Sequence, residues 1–233
     1  MIATQTLSTP PRDTRLDQYW ARLRPEQIQE RIHAQLVQAR IPPQYRACAF
    51  QTLDPALDPE AFQTCQAYAE QGAYQGAKGL LLLGTPGNGK TSMAVAVLRR
   101  IVEQTQGRYS VRFWNVATGL AQARQAIQED GPQTDPILDL TYNRLLLIDD
   151  LGKQQMTPWV KEQLYTVIEN MDTPDKGVVI TTNQTPAQLK HALEPAVVSR
   201  LLEMCHPVVF QGPDQRRQGR GHLVHAAFQE ARV

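Results

Sequence analysis

The chain has 233 residues, of which 42% are hydrophobic and 20% are charged, and its formal net charge is +1. This length suits one domain with an arm, or two small domains, and the composition excludes long disorder and a coiled coil. No apolar run approaches the ~20 residues that a membrane crossing needs, and the N-terminus lacks a basic-then-apolar signal pattern. We therefore expect a cytoplasmic protein with no membrane partner.

The small net charge hides a local imbalance near the N-terminus. Residues 12–46 contain seven Arg and four acidic residues, whereas residues 47–77 contain four acidic residues and no Lys or Arg. This shift, with two prolines at the break, predicts a domain boundary. The predicted domains, in order, are a short helical N-terminal arm at 1–45, an α/β core at 46–213 and a basic tail with a short helix at 214–233.

Three cysteines, Cys48, Cys65 and Cys205, lie far apart in the chain and form no CxxC pair. Neither a disulfide framework nor a zinc site follows from this spacing, so we expect buried free thiols.

Apolar runs alternate with helical patterns along the core, which is typical of a parallel sheet covered on both faces. The clearest helix is 157–171, because Thr157 can cap it, Pro158 suits its first turn, and apolar residues recur at helical spacing. The predicted elements, in chain order, are helices 25–39 and 58–71, strand 79–83, helix 91–105, strand 111–116, helix 118–129, strand 145–148, helix 157–171, strand 178–181, helices 186–193 and 196–203, and strand 208–210.

Residues 84–91, Gly-Thr-Pro-Gly-Asn-Gly-Lys-Thr, match the phosphate-binding loop GxxxxGK[ST] between a predicted strand and a predicted helix. The glycines allow successive backbone amides to face the phosphates of a nucleotide at the helix N-terminus. Lys90 would neutralise the β- and γ-phosphates of ATP, and the Thr91 hydroxyl would bind Mg²⁺. The predicted nucleotide-binding residues are Gly84, Thr85, Pro86, Gly87, Asn88, Gly89, Lys90, Thr91 and Ser92.

A second motif follows at the end of the predicted strand 145–148, where Asp149 and Asp150 form a Walker B pattern. Asp149 would hold Mg²⁺ together with Thr91, and Asp150 would orient or deprotonate the attacking water. Because Asp150 stands where many hydrolases have the longer Glu, we expect slow or partner-dependent ATP hydrolysis.

With these motifs the chain resembles the AAA+ ATPases, and within them the DnaC/DnaI-type helicase loaders and the IstB-type transposition helpers. The resemblance covers about residues 41–213 and looks closer to the loaders. It rests on Ile-Pro-Pro-Gln-Tyr-Arg at 41–46, the phosphate loop at 84–91, Leu-Ile-Asp-Asp-Leu-Gly at 147–152, Thr-Thr-Asn at 181–183 and Ser-Arg-Leu at 199–201.

The resemblance implies roles for residues beyond the two motifs. Asn183 matches sensor 1, which contacts the γ-phosphate or its water; the alternative is a turn Asn before Pro186. Arg200 matches the arginine finger, which acts on the ATP of a neighbouring subunit; the alternative is an Arg that caps or salt-bridges a short helix. Arg216, followed by Arg217, resembles the terminal Arg motif of the loaders or belongs to a solvated tail. The implied catalytic set is Lys90, Asp150, Asn183 and Arg200.

The resemblance also implies partners. The arm would engage a hexameric DnaB-type replicative helicase through an apolar stripe, unless the arm folds back onto its own core. Single-stranded DNA would contact the region 116–142 and nearby groups, unless the aromatic residues there belong to the core. The stripe consists of Tyr19, Trp20, Leu23, Ile28, Ile32 and Leu36, and the DNA candidates are Arg112, Phe113, Trp114, Arg124, Tyr142 and Arg144.

The expected fold is thus an α/β P-loop (AAA+) three-layer core with a parallel sheet. Because only 23 residues follow Phe210, we expect a truncated or absent helical lid, and therefore an ATP-dependent homo-oligomer in which a neighbour completes the site. The expected function is that of an ATP-hydrolysing helicase loader acting on single-stranded DNA in replication initiation. The alternatives are an IstB-like transposition helper that binds duplex DNA and, in a different class, a small-molecule P-loop kinase.

Overall fold

A computed structural model describes residues 19–71, 78–128 and 135–215 of the chain. In these ranges five parallel strands form one sheet in the order β2-β3-β4-β1-β5. All the strands point the same way, so their carboxyl ends meet at one edge, and the predicted parallel fold is confirmed. The strands are β1 Gly79–Gly84, β2 Val111–Asn115, β3 Leu145–Leu151, β4 Gly177–Thr182 and β5 Cys205–Phe210.

Helices connect the strands, and most of them begin where the sequence predicts. Six of those in the described ranges start at a proline, whose fixed φ and missing N–H suit the first helical turn. None in these ranges combines the length and the apolar composition that a membrane crossing requires. The helices are α1 Pro25–Gln38, α2 Pro59–Gln71, α3 Lys90–Gln104, α4 Val116–Gln128, α5 Pro136–Thr141, α6 Pro158–Met171, α7 Pro186–Ala192 and α8 Pro195–Met204.

Helix α5 was not predicted from the sequence. Its six residues are too few to show a helical period, and it begins because the Asp135 carboxylate accepts a hydrogen bond from the Ile137 backbone N–H at 2.8 Å.

Alternate side chains of each strand build two cores, one on each face of the sheet. Leu80 and Leu82 of β1 join a cluster with helices α1, α2 and α3. Leu81 and Leu83 join the opposite cluster, which is covered by helices α4 to α8. The molecule therefore has the three layers expected of this fold, and both faces of the central strands are buried.

The described part of the N-terminal arm packs against the core. Ile32 is buried in the cluster that contains Leu80, and Ile28 and Leu36 pack against the same cluster. The segment after α1 also runs beside the sheet, since the Phe113 N–H donates to the Ala39 carbonyl at 2.8 Å. For these three stripe residues the structure favours the alternative in which the arm folds back, because their apolar face is already covered.

All three cysteines are free thiols. Cys65 and Cys205 are buried and Cys48 is half-buried, so the expectation of buried thiols holds for two of the three. Burial raises the pKa of Cys205 to about 12, which keeps this sulfur protonated and unreactive.

Candidate nucleotide-binding site

The phosphate loop connects the end of β1 to the start of α3, as its motif requires. Gly87 and Gly89 adopt φ of +87° and +91°, a left-handed conformation that is strained for residues with a side chain. Helix α3 begins at Lys90, so its unpaired N-terminal amides lie beside the loop. A loop and helix end of this kind attract anionic phosphates.

Lys90 is 6% exposed, and its ammonium group is held on the loop itself. It donates hydrogen bonds to the carbonyl oxygens of Gly84 at 2.8 Å and Thr85 at 2.7 Å, and to Oδ1 of Asn88 at 2.9 Å. Asn88 is itself buried and donates from Nδ2 to the Phe210 carbonyl at 3.1 Å. The positive charge therefore lies where the phosphates of a nucleotide would need it.

Asp149 is the buried carboxylate of the site, with 5% of its surface exposed. Its Oδ1 accepts hydrogen bonds from the hydroxyl groups of Thr91 and Thr181, each at 2.8 Å. Its Oδ2 accepts from Nδ2 of Asn115 at 3.1 Å. Asn115 also caps α4, because its Oδ1 accepts from the Thr118 N–H at 3.2 Å.

The oxygen atoms of Thr91 and Asp149 fit a magnesium ion. Mg²⁺ is usually held by one or two protein oxygens together with nucleotide phosphates and water, rather than by a cage of carboxylates. Accordingly, the described residues contain no group of three or more His, Cys, Asp or Glu placed to bind a metal. Bound there with ATP, the ion would neutralise charge on the phosphates.

Asp150 points into the same cavity from an unusual backbone conformation, with φ of +59°. Asn183 donates from Nδ2 to Oδ1 of Asp150 at 3.1 Å, and Lys153 Nζ lies 3.5 Å from its Oδ2. The Asp150 backbone N–H donates to the Thr181 hydroxyl at 3.0 Å. The structure thus brings together Asp150, which the Walker B pattern assigns to the attacking water, and Asn183, which the resemblance assigns to the γ-phosphate or that water.

The phosphate loop, Asp150 and Asn183 line a cavity of about 670 Å³, which suits a ligand of nucleotide size. Sequence reasoning missed several of its residues, because single polar or aromatic residues in loops carry no pattern of their own. Tyr45 is the lining residue that a sequence signal could have indicated, because it belongs to the motif at 41–46. The lining residues are Tyr45, Pro86, Gly87, Asn88, Gly89, Lys90, Thr91, Ser92, Asp150, Leu151, Gly152, Lys153, Asn183, Gln184, Gln188 and Gln215.

Arg200 lies at the other edge of the sheet. Its guanidinium group binds Glu169 at 2.8 Å and Asp172 at 3.0 Å, and Asp172 also accepts from Lys78, the residue before β1. The phosphate loop follows the other end of this six-residue strand, about 20 Å away at ~3.3 Å per residue. Within one chain Arg200 therefore forms salt bridges, as in the alternative interpretation of this residue, and lies far from the phosphate loop of the same chain.

The Lys78 and Arg200 side chains also set the charge state of Asp172. Burial raises the pKa of this carboxyl group, but the hydrogen bonds and charges of the two cations outweigh burial and hold the pKa below its usual value.

The predicted DNA-contact residues are divided between core and surface. Phe113 and Trp114 are buried, and Arg112 donates to the Gln38 carbonyl at 3.0 Å and to Asp139 at 3.3 Å. The structure therefore assigns these three to the core or its edge. Tyr142 and Arg124 are exposed, with Arg124 4.8 Å above the Trp159 ring, while Arg144 is paired with Asp175. Arg216 and Arg217 lie outside the described residues.

This sheet order, with its phosphate loop and Walker B carboxylates at one edge, is a P-loop nucleotide-binding fold of the AAA+ type. The sequence model of the IstB-like ATP binding proteins matches residues 15–222, and the chain belongs to that family. No curated protein matches the chain in a sequence comparison.

Solved structures of replication proteins share the fold. The DnaC helicase loader is 24% identical with a TM-score of 0.64, over 73% of this chain and 100% of that one. A putative primosome component from Streptococcus pyogenes serotype M3 is 20% identical with a TM-score of 0.64, over 78% and 98%. The replication initiator DnaA bound to AMPPCP and single-stranded DNA is 16% identical with a TM-score of 0.60, over 76% and 53%.

Replacing Lys90 with Ala should weaken ATP binding about tenfold or more, because the loop loses its buried positive charge. Titration of the purified full-length protein with a fluorescent ATP analogue in the presence of Mg²⁺ measures this affinity. Lys176→Ala is the matched control, since Lys176 lies beyond the opposite edge of the sheet and binds the Asn170 carbonyl. Equal affinities of the Lys90 variant and the wild type would contradict the assignment of the site.

Proposed function

We propose that this protein is an ATP-hydrolysing helicase loader, which places or holds a replicative DNA helicase on single-stranded DNA in the cytoplasm during replication initiation. The observation that carries the proposal is the division of the catalytic groups. The nucleotide cradle and the Asp150–Asn183 pair lie at one edge of the sheet, whereas Arg200 lies at the other. A site divided in this way is completed by a second copy of the chain, as an assembling loader requires.

Hydrolysis within this site would depend on Asp150. The Asn183 amide holds Oδ1 of this carboxylate, which leaves Oδ2 directed toward solvent and Lys153. A carboxylate held in this way can orient a water molecule and accept its proton. Because Asp is one methylene shorter than the Glu of many hydrolases, we expect a slow rate that a partner or DNA stimulates.

The Asp150→Asn variant should bind ATP like the wild type but hydrolyse it about 10²-fold to 10⁴-fold more slowly, since an amide cannot accept the proton of water. Single-turnover hydrolysis of radiolabelled ATP measures the chemical step. Asp175→Asn, which changes a half-buried carboxylate paired with Arg144, serves as the control and should hydrolyse ATP normally. An unchanged rate in Asp150→Asn would remove this residue from the reaction.

Arg200 is the group we assign to the site of a neighbouring chain. Its side chain is about one-third exposed, so it can exchange Glu169 and Asp172 for a phosphate of another subunit without leaving a buried core. A guanidinium group supplied in trans stabilises the charge of the transition state.

Hydrolysis per molecule should therefore rise with protein concentration in the wild type. In Arg200→Ala it should stay about 10³-fold lower and independent of concentration, because the stabilising charge is missing. Steady-state phosphate release over a dilution series tests this prediction, with Arg100→Ala, a half-buried partner of Glu70, as the control. A variant that keeps the concentration dependence of the wild type would show that Arg200 is only a structural ion pair.

The structural similarity to the DnaC helicase loader supports a helicase partner, and the similarity to DnaA bound to single-stranded DNA supports single-stranded DNA. The IstB-like family match supports the second candidate, a transposition helper on duplex DNA. With Mg²⁺ and ATP, a loader should bind single-stranded DNA about tenfold more tightly than duplex of equal length and should retain a DnaB-type hexamer in a pull-down. Binding to single-stranded and to duplex DNA is measured at several salt concentrations, because both have an electrostatic component that weakens with salt. The preference that remains at each salt concentration distinguishes the two candidate functions. Preference for duplex without helicase retention would instead favour the transposition helper.

A further inference from the structure

The chain crosses its own phosphate loop after the last strand. β5 ends at Phe210, and the following residues 211–215, which we call the strap, run directly over the loop. The Gln215 backbone N–H donates to the Gly87 carbonyl at 2.9 Å, and the Gln215 side chain lines the cavity. A β-carbon at Gly89 would lie 3.0 Å from Nε2 of Gln215, so the strap is packed closely on the loop.

A carboxylate far upstream in the sequence fixes the strap in place. Oδ2 of Asp58 accepts hydrogen bonds from the backbone N–H groups of Gln211 at 2.7 Å and Gly212 at 3.4 Å. Its other oxygen, Oδ1, accepts from the Ala61 N–H at the start of α2 at 3.3 Å. A β-carbon at Gly212 would lie 2.9 Å from the Leu57 carbonyl oxygen, so the strap also packs closely against the backbone of Leu57.

The strap places a carboxylate beside the phosphate loop. The Asp214 carboxylate lies so close to Gly87 that a β-carbon at this glycine would collide with it. The same loop attracts phosphates through its amides, the N-terminus of α3 and Lys90. A carboxylate and a triphosphate at one loop repel each other, and at an effective dielectric constant of about 20 this repulsion remains substantial over several ångströms.

We infer that the strap is an autoinhibitory contact, in which Asp58 fixes residues 211–215 and Asp214 opposes the binding of a nucleoside triphosphate. Asp58 is a positioning residue, since it contacts the strap and acts on the loop through it. The inference rests on the proposed ATP site, and it adds that the Asp214 carboxylate of the same chain competes with the nucleotide phosphates for the phosphate loop. ATP binding then requires the Asp214 carboxylate to move away or to tolerate the phosphates beside it.

The deciding experiment compares ATP affinities of full-length variants by titration calorimetry with Mg²⁺. Asp214→Asn keeps the shape of the side chain but removes the charge, so it should bind ATP about three to ten times more tightly than the wild type. Asp214→Glu should return the affinity to about the wild-type value. The gain of Asp214→Asn should shrink between 50 mM and 500 mM salt, because salt screens the repulsion.

The anchor is tested by Asp58→Asn, in which Oδ1 still caps α2 while the new amide NH₂ cannot accept a hydrogen bond from the strap. It should also bind ATP more tightly, and residues 210–215 should exchange backbone hydrogen faster. Asp54→Asn is the matched control. Asp54 accepts a hydrogen bond from the Ala56 N–H in the short turn that precedes α2, and among the described residues it has no hydrogen bond to the strap.

Unchanged or weaker ATP affinity in Asp214→Asn would overturn the inference, whatever the anchor variants do. Failure of the proposed function has a different signature, since a wild type that binds ATP but retains neither helicase nor single-stranded DNA leaves the affinity comparison intact.

Discussion

The site depends on one buried carboxylate, Asp149. Burying an anion is costly unless hydrogen bonds replace its water, and here the donors come from three separate elements. Asn115 ends β2, Thr181 lies in β4, and Thr91 lies in the first turn of α3. They meet because all the strands are parallel and because Asn115 is directly opposite Asp149 in the β2–β3 pairing. A slip of one residue in that register would turn Asn115 to the other face and leave Asp149 without one of its donors.

Asp150 follows Asp149 directly in β3, and in a regular strand the two side chains would point to opposite faces of the sheet. In an unbroken ladder, therefore, two neighbouring carboxylates cannot both be directed toward the phosphate-loop side of the strand. The β3–β4 pairing shifts register between Ile148 and Leu151, and Asp150 takes a positive φ at the shift. The irregularity directs the second carboxylate toward Asn183, and the Asp150 N–H bonded to the Thr181 hydroxyl holds the conformation. The strained residue is therefore the one for which we propose a role in hydrolysis.

Much of the fold could be predicted from the sequence, because buried parallel strands and amphipathic helices have clear periods. The phosphate loop was predictable for a different reason, since its glycines and lysine stand at fixed spacing between a strand and a helix. Asn115 was not, because a single polar residue at a strand end looks like any turn residue. The sequence could not decide what the part of the apolar stripe in α1 contacts, since an apolar helix face packs equally well on its own core or on a partner. Arg200 matched a motif, but its bonds to Glu169 and Asp172 depend on tertiary contacts that no local pattern encodes.

The groups expected to contact ATP are already bound within the chain. Lys90 holds the carbonyls of its own loop, Asp149 is fully hydrogen-bonded to side chains, and Arg200 is ion-paired at the far edge. Binding of a nucleotide at this site would exchange these contacts for others, so the net free energy of binding is the small difference between two satisfied states. A ligand can shift such an equilibrium only by its differential affinity for the two states. Because that difference is small, a few additional hydrogen bonds to a bound ligand suffice to decide which state the chain adopts.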